Sequence, residues 1–383
     1  MKIVYIFKSM ALKAGMERIL SDKMNYLVKE YGYDITIITY EQGGHSLAFP
    51  LDNRIKVIDL DVRYFQIFAM NMFRRFFYKQ IILTKLKKKL CAVLKDIGPD
   101  CVVVTTYDFD KFGHILSLSY RFVIESHVFI SDIRQEIRQN NFITKYFAKR
   151  LDTAHFRMVD TAHCLVSLTE HDKENWKKYT NLPIVVIPNI VTNYPTSIIS
   201  YNTRPNRILC VGRLTKQKGY DYLIQAWARI SNKYPTWSID IFGHGELEAT
   251  LNQMITEYKL SNSVRINKPT DNIYNEYENS SIFILSSRFE GFGLVLIEAM
   301  SCGVPCISFD CPHGPSDIIT HGEDGFLVPL GDIEKMAESI EWMITHNEER
   351  LRMSGNARQK AKQYTSEAIM PQWVELFEKV AKQ

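Results

Sequence analysis

The sequence predicts an α/β protein made of two doubly wound domains in series. Its 383 residues suggest two domains, since one domain usually takes roughly 150 residues. The composition, 46% hydrophobic and 23% charged, is that of a packed globular protein. Apolar runs of strand length alternate with amphipathic stretches of helix length along most of the chain. This alternation predicts parallel sheets covered by helices.

Residues 1–190 are predicted to form the first domain. One helix is expected over residues 16–31, where Leu20, Met24, Leu27, Val28 and Tyr31 recur at helical spacing and predict a buried stripe. The predicted strands of this domain are Ile3–Phe7, Ile35–Tyr40, Val57–Leu60, Cys101–Thr105, Phe122–Ser126 and Cys164–Leu168.

A segment rich in proline and turn residues, 191–205, is predicted to link the first domain to a second one over residues 206–365. A final amphipathic helix over residues 366–383 is expected to pack back on the first domain. The predicted strands of the second domain are Ile208–Val211, Ser238–Phe242, Val264–Asn267, Ile282–Leu285, Cys306–Phe309 and Phe326–Val328.

Positive charge is concentrated in residues 63–95, which hold nine basic residues and no acidic one, with aromatic residues between them. This composition suits a helix at an anionic membrane surface, and equally an ordinary solvated helix with its apolar side in the core. A net charge of +4 and the lack of an RNA-binding signature argue against a nucleic-acid partner.

The cysteine pattern and the N-terminus predict a cytoplasmic protein, peripheral to the membrane at most. The seven cysteines form no CxxC pair, so we expect reduced thiols and no zinc site. No apolar run approaches the ~20 residues of a spanning helix, and the first apolar run is too short for a signal peptide. The DxD patterns at Asp59–Asp61 and Asp108–Asp110 are too short to indicate a metal site.

Ligands of doubly wound sheets bind beyond the carboxyl ends of the strands, so the loops at these ends hold the candidate residues. Gly15 follows the first strand and lets backbone amides approach a ligand, although a helix entry alone also explains it. Arg213 and Lys218 follow the strand that ends at Val211, where two cations can bracket a diphosphate. A solvated basic loop is the alternative interpretation.

The segment from Ser286 to Met300 combines a strand end, a glycine-rich turn and an apolar helix. Gly291 and Gly293 allow a tight turn that presents backbone amides to phosphate. Glu298 lies among apolar residues, where an unpartnered charge is costly, so we expect a partner such as a ribose diol. An incidental acid after a helix-start turn is the alternative.

These residues resemble the family 4 retaining glycosyltransferases of the GT-B fold, in which two Rossmann-like domains face a central cleft. The resemblance rests on Glu290 and Glu298 around Gly-Phe-Gly, on Gly212-Arg213 with Lys218-Gly219, and on the loop from Ala14 to Arg18. It covers nearly the whole chain and is most specific from Glu290 to Asp317. Ala14 stands where many members have a second glycine.

The resemblance implies a role for each matched residue. Arg213 and Lys218 would hold the donor diphosphate, Glu298 the ribose, and Glu290 would lie near the transferred sugar. His127, at a strand end in the first, acceptor-side domain, would reach the donor sugar. The remaining residues implied to contact the nucleotide sugar are Gly15, Phe292, Gly293, Leu294 and Gly243.

We therefore expect a metal-independent, retaining hexosyltransferase without a cofactor, which uses a nucleotide sugar and acts on a glycan or lipid-linked acceptor in cell-surface polysaccharide synthesis. The segment from Asp310 to Ile319 resembles a variant found with UDP donors. A nucleotide-sugar epimerase of the same architecture and a non-catalytic sugar-nucleotide-binding protein are the alternatives.

Overall fold

The computed structural model of the protein describes residues 1–64, 66, 72–106, 111–127, 157–197 and 199–383. These residues fall into two compact units. Unit 1 comprises Met1–Ile190 together with Ile369–Gln383, and unit 2 comprises Val191–Ala368. Each unit holds a parallel sheet with helices packed against it, which confirms the predicted fold class.

In the described part of unit 1, seven parallel strands form one sheet in the order β3-β2-β1-β4-β5-β6-β7. The strands are β1 Lys2–Phe7, β2 Asp34–Thr39, β3 Lys56–Asp59, β4 Val102–Thr105, β5 Arg121–Glu125, β6 Cys164–Ser167 and β7 Ile184–Val186. The helices described within residues 1–190 are α1 Gly15–Tyr31, α2 Met72–Ile97, α3 Gly113–Ser119 and α4 Glu170–Trp176.

The core of unit 1 is formed around apolar strands that are buried on both faces, as expected for a parallel sheet. Helix α1 buries its predicted stripe except at Tyr31, whose side chain is 40% exposed. Gly32 ends this helix in the left-handed conformation, with φ 63°. Strand β7 was not predicted, because its three residues lie directly before the proline-rich segment.

Helix α2 carries the basic segment and has two different faces. Ile82, Leu86, Leu90 and Leu94 recur every four residues and are buried in the core of unit 1. The opposite side exposes basic residues together with Ile81, which is 61% exposed. The helix therefore has the core-facing apolar stripe of an ordinary surface helix as well as an exposed apolar and basic face. Residues 65 and 67–71 of this segment lie outside the described residues.

The described part of unit 2 holds a parallel sheet in the order β10-β9-β8-β11-β12-β13. Its strands are β8 Arg207–Val211, β9 Ser238–Phe242, β10 Val264–Asn267, β11 Ile282–Leu285, β12 Cys306–Asp310 and β13 Gly325–Pro329. Its helices are α5 Tyr220–Ile230, α6 Glu248–Glu257, α7 Ile273–Glu278, α8 Leu294–Ser301, α9 Pro315–Ile318, α10 Ile333–Thr345 and α11 Asn347–Ala361.

The last helix, α12, spans Ser366–Ala381. Its apolar face, which includes Trp373 and Phe377, is buried, and its residues from Ile369 onward group with unit 1. The segment 191–205 groups with unit 2. There, the buried Arg204 guanidinium donates to the carbonyl oxygen of Cys302 at 2.6 Å and fixes the segment to that unit.

Candidate functional site

The carboxyl ends of β8 and β11 bring together two of the predicted loops of unit 2, because these strands are neighbours in the sheet. Lys218 Nζ lies 2.7 Å from Glu290 Oε1, and the two side chains are only 14% and 8% exposed. Two residues far apart in the chain thus form one nearly buried ion pair. The pairing of these two particular side chains was not predicted.

Two glycines let these loops approach each other. Gly219 has φ 62°, and a Cβ there would lie 2.0 Å from the carbonyl oxygen of Ser286. A Cβ at Gly243 would lie 1.9 Å from the carbonyl oxygen of Gly212. Real Cβ atoms do not approach an oxygen so closely, so both positions need glycine for packing alone. The predicted contact of Gly243 with a nucleotide stays a prediction.

Arg213 lies beside this pair with its guanidinium exposed. It donates through Nη2 to Gln217 Oε1 at 3.3 Å, and Gln217 in turn donates to the carbonyl oxygen of Phe289 at 3.1 Å. The two predicted diphosphate ligands therefore differ in surroundings. Arg213 offers an accessible planar guanidinium that can donate two parallel hydrogen bonds. Lys218 offers a single ammonium charge that the Glu290 carboxylate holds in place.

Glu290 is held in place by the groups around it. Ser287 Oγ donates to the same carboxylate oxygen that contacts Lys218. Burial raises the pKa of Tyr220, and the charge of Glu290 raises it further. Burial also raises the pKa of the Cys311 thiol to about 12, with Glu290 adding to the effect. Both groups stay neutral, so Lys218 balances the charge of Glu290.

Glu298 lies on α8 and is 9% exposed. Tyr277 Oη donates to Glu298 Oε2 at 2.9 Å, and burial raises the pKa of Tyr277 well above its ordinary value, with Glu298 raising it further. The protein itself therefore provides a partner for this carboxylate. This finding corrects the argument that burial of Glu298 requires ligand hydroxyls, and its ribose contact stays a prediction.

The turn before α8 can contribute only through its backbone. Phe292 is 4% exposed, and its ring makes an edge contact with Tyr364 at 5.9 Å between centroids. Gly293 has φ 94° and precedes Leu294, the first residue of α8. Since Gly293 has no side chain to cap the helix, the first amides of α8 remain available to an anion.

The remaining predicted residues, Gly15 and His127, lie in unit 1. Gly15 is exposed and is the first residue of α1. His127 follows β5, and its side chain is 6% exposed. Its Nε2 atom lies 3.1 Å from Glu125 Oε1, and Lys23 Nζ lies 2.6 Å from the same oxygen. Glu125 and Lys23 were not singled out in the sequence, since nothing in their spacing links α1 to β5.

Within the described residues, no group of three His, Cys, Asp or Glu side chains is arranged to hold a metal ion. Asp59, from one of the two DxD patterns, accepts hydrogen bonds from Thr39 Oγ1 at 3.1 Å and from the amide of Gly43 at 2.9 Å, which is a structural role. Asp108 and Asp110, from the other pattern, lie outside the described residues.

Two parallel-sheet units of this kind define the GT-B fold. The solved structure of a TarM mutant from S. aureus, in complex with fondaparinux, alpha-GlcNAc-glycerol and UDP, has the same fold. It matches with a TM-score of 0.73 at 15% identity and covers 98% of this chain and 99% of that one.

Sequence comparison then identifies the family. The family described as "Glycosyl transferases group 1" matches residues 197–360 of this chain. An uncharacterized glycosyltransferase of Haemophilus influenzae is 30% identical over 97% of this chain and 98% of its own length. The amylovoran biosynthesis glycosyltransferase AmsD of Erwinia amylovora is 26% identical over 98% and 99%. The chain belongs to the glycosyltransferases.

Family membership confirms the prediction of a glycosyltransferase and does not favour the epimerase alternative. The helices in the described part of the chain include none that is both long and apolar enough to span a bilayer. The individual roles of the site residues, the donor and the stereochemistry are taken up below as proposals.

Proposed function

We propose that the protein is a retaining, metal-independent glycosyltransferase that moves a hexose or N-acetylhexosamine from a UDP-sugar to a glycan or lipid-linked acceptor in cell-surface polysaccharide synthesis. The ion pair between Lys218 and Glu290, 2.7 Å apart, carries this proposal. A cation suited to a diphosphate and a carboxylate suited to a sugar lie side by side here, beyond the strand ends where doubly wound sheets bind nucleotides.

The proposed reaction breaks the bond between the anomeric carbon and the diphosphate oxygen and forms a bond from that carbon to an acceptor hydroxyl oxygen on the same face. The hydroxyl proton passes to the departing phosphate. Arg213, Lys218 and the first amides of α8 stabilise the growing negative charge. Glu290 orients the sugar, Glu298 holds the ribose, and His127 contacts the sugar from unit 1. Arg213 and Lys218 supply the positive charge that a metal ion supplies in other transferases.

Three observations support a UDP donor and a polysaccharide acceptor. The Asp310–Ile319 segment resembles the variant found with UDP donors, and the similar TarM structure contains UDP. AmsD, which matches this chain over nearly its full length, is named for amylovoran biosynthesis.

Nucleotide release from a panel of UDP-, GDP- and ADP-sugars, without acceptor and in the presence of EDTA, tests the donor and the site. We expect UDP release only, and its loss in Glu290→Gln. Glu338→Gln, on the exposed surface of α10, is the matched control and keeps the wild-type rate. Release that requires a metal, or that is equal in Glu290→Gln and Glu338→Gln, would refute the assignment.

Arg213→Ala is expected to lower turnover at an unchanged melting temperature, because its guanidinium is exposed.

We also propose that α2 docks on the inner face of the plasma membrane and brings the enzyme to a lipid-linked acceptor. Its exposed face combines Lys85, Lys88 and Lys95 with Tyr78 and Ile81, which suits an anionic bilayer surface. Neighbouring Lys89 is less suited to this role, because its ammonium donates to the carbonyl oxygen of Leu60.

Flotation with vesicles of anionic and of neutral lipid tests this docking. Reversal of Lys85, Lys88 and Lys95 to glutamate should abolish binding to the anionic vesicles. Wild-type binding by this triple variant would disprove the docking of α2. The matched control reverses exposed lysines elsewhere and should bind as the wild type does; these are Lys259, Lys335 and Lys382.

A further inference from the structure

A buried cluster of charged side chains lies directly behind His127 in unit 1. Glu125, the last residue of β5, is fully buried, and its Oε1 atom lies close to a lysine and a histidine. Lys23 Nζ from α1 lies 2.6 Å away and His127 Nε2 lies 3.1 Å away. One oxygen atom thus joins a lysine in the core to the histidine proposed to contact the donor sugar.

The cluster is completed from the C-terminal helix. Lys23 Nζ lies 3.4 Å from the centre of the Trp373 ring, within cation–π distance. The ring centre of Tyr5 lies 5.9 Å from the same ammonium. Trp373 and Lys23 are each about 1% exposed. A carboxylate and an aromatic face therefore replace the water that this ammonium loses on burial.

The charges of the cluster are interdependent. Burial alone would raise the pKa of Glu125, but the nearby Lys23 and His127 lower it to about 2. Burial lowers the pKa of Lys23, and Glu125 opposes that shift. Glu125 is therefore the fixed negative charge of the cluster, and Lys23 neutralises it.

We infer that Glu125 and Lys23 are positioning residues for His127. The inference rests on the function proposed above for His127. His127 Nε2 lies 3.1 Å from Glu125 Oε1 but makes no hydrogen bond in the structure. The negative charge beside this nitrogen favours the tautomer that carries the proton on Nε2. The lone pair on Nδ1 is then available to accept a hydrogen bond from a sugar hydroxyl. Lys23 holds the carboxylate in place, and Trp373 holds Lys23.

A purely structural ion pair could be replaced by neutral side chains of similar size without loss of function. The test is therefore a double variant, Lys23→Met with Glu125→Gln, which leaves no buried charge unpaired. We expect its melting temperature to exceed that of either single variant. We expect kcat for sugar transfer to fall by about 10- to 100-fold, because a misplaced contact group costs that much. KM for the donor should change by less than about threefold, since the unit 2 residues that bind the nucleotide are untouched.

The matched control is Lys360→Met with Asp324→Asn, which neutralises a pair 3.3 Å apart in unit 2 and should keep the wild-type kcat. ¹⁵N spectra of histidine-labelled protein, with His127 assigned from His127→Ala, give an independent readout. We expect the neutral ring to be protonated on Nε2 in the wild type and to become a mixture of tautomers in the double variant.

A wild-type kcat together with an unchanged tautomer in the double variant would overturn the inference. So would a wild-type ring protonated on Nδ1. A wild-type protein that transfers no sugar from any donor would refute the proposed function instead, and the ¹⁵N spectra would still decide whether Glu125 controls the ring.

Discussion

The buried Glu125 carboxylate should make the protein's stability depend on pH in the acid range. Its pKa falls from 4.5 to about 2 in the folded protein. A group whose pKa is lowered by folding stabilises the fold above its unfolded pKa, and this contribution is lost as the pH falls through the folded pKa. The side chain is 1% exposed, so solvent does not screen these interactions.

The size of the effect follows from that shift. A lowering of this size corresponds to roughly 3 kcal/mol of unfolding free energy, because each pKa unit is worth about 1.4 kcal/mol. This contribution should be complete near pH 6 and mostly gone near pH 2. The assay is urea unfolding at intervals across this range, followed by tryptophan fluorescence.

Comparison of the wild type with the Lys23→Met, Glu125→Gln double variant isolates this group from the other acids. The wild type should lose roughly 3 kcal/mol more than the double variant between these limits. Parallel pH profiles for the two proteins would show that Glu125 titrates normally in the fold, which would refute the charge assignment of the cluster.

Two further predictions concern unit 2. An alanine in the left-handed conformation costs about 1–2 kcal/mol. Gly219→Ala should lower the unfolding free energy by more than this, because its Cβ would lie 2.0 Å from the Ser286 carbonyl oxygen. Gly355→Ala, on α11 with open space around it, is the control for thermal unfolding and should be neutral or stabilising; equal melting temperatures for the two variants would contradict this. Tyr277→Phe should lower the unfolding free energy by about 1.5–3 kcal/mol, as expected for a hydrogen bond to a charged group. It should also weaken UDP binding in calorimetry, because Glu298 loses the contact that orients it; unchanged UDP affinity would count against Glu298 as a nucleotide ligand.

The sequence predicts the strands and the site loops well because both depend on local patterns. Strand β9 was predicted at its observed bounds, Ser238–Phe242, since its apolar run is short and bordered by turn residues. The glycine-rich turn before α8 was predicted for the same reason. These features are determined by residues that are adjacent in the sequence, so they can be recognised from the sequence alone.

The partners of the buried charges could not be predicted, because they come from distant segments. Glu298 looked unpartnered in the sequence, yet Tyr277 on α7 donates to it. Lys23 is not among the residues of the predicted buried stripe of α1, yet it is buried against Glu125 and Trp373. No periodicity or spacing relates such residues, and only the packed fold brings them together.

The grouping of Ile369–Gln383 with unit 1 has a consequence for biosynthesis. The ribosome makes all of unit 2 before it makes Trp373. The core of unit 1 is therefore incomplete during this time, because Lys23 lacks the ring that packs against it. Unit 2, which is continuous in the chain, has no such delay and can fold during synthesis. Nascent chains arrested before residue 369 should therefore resist protease in unit 2 while unit 1 remains open to cleavage.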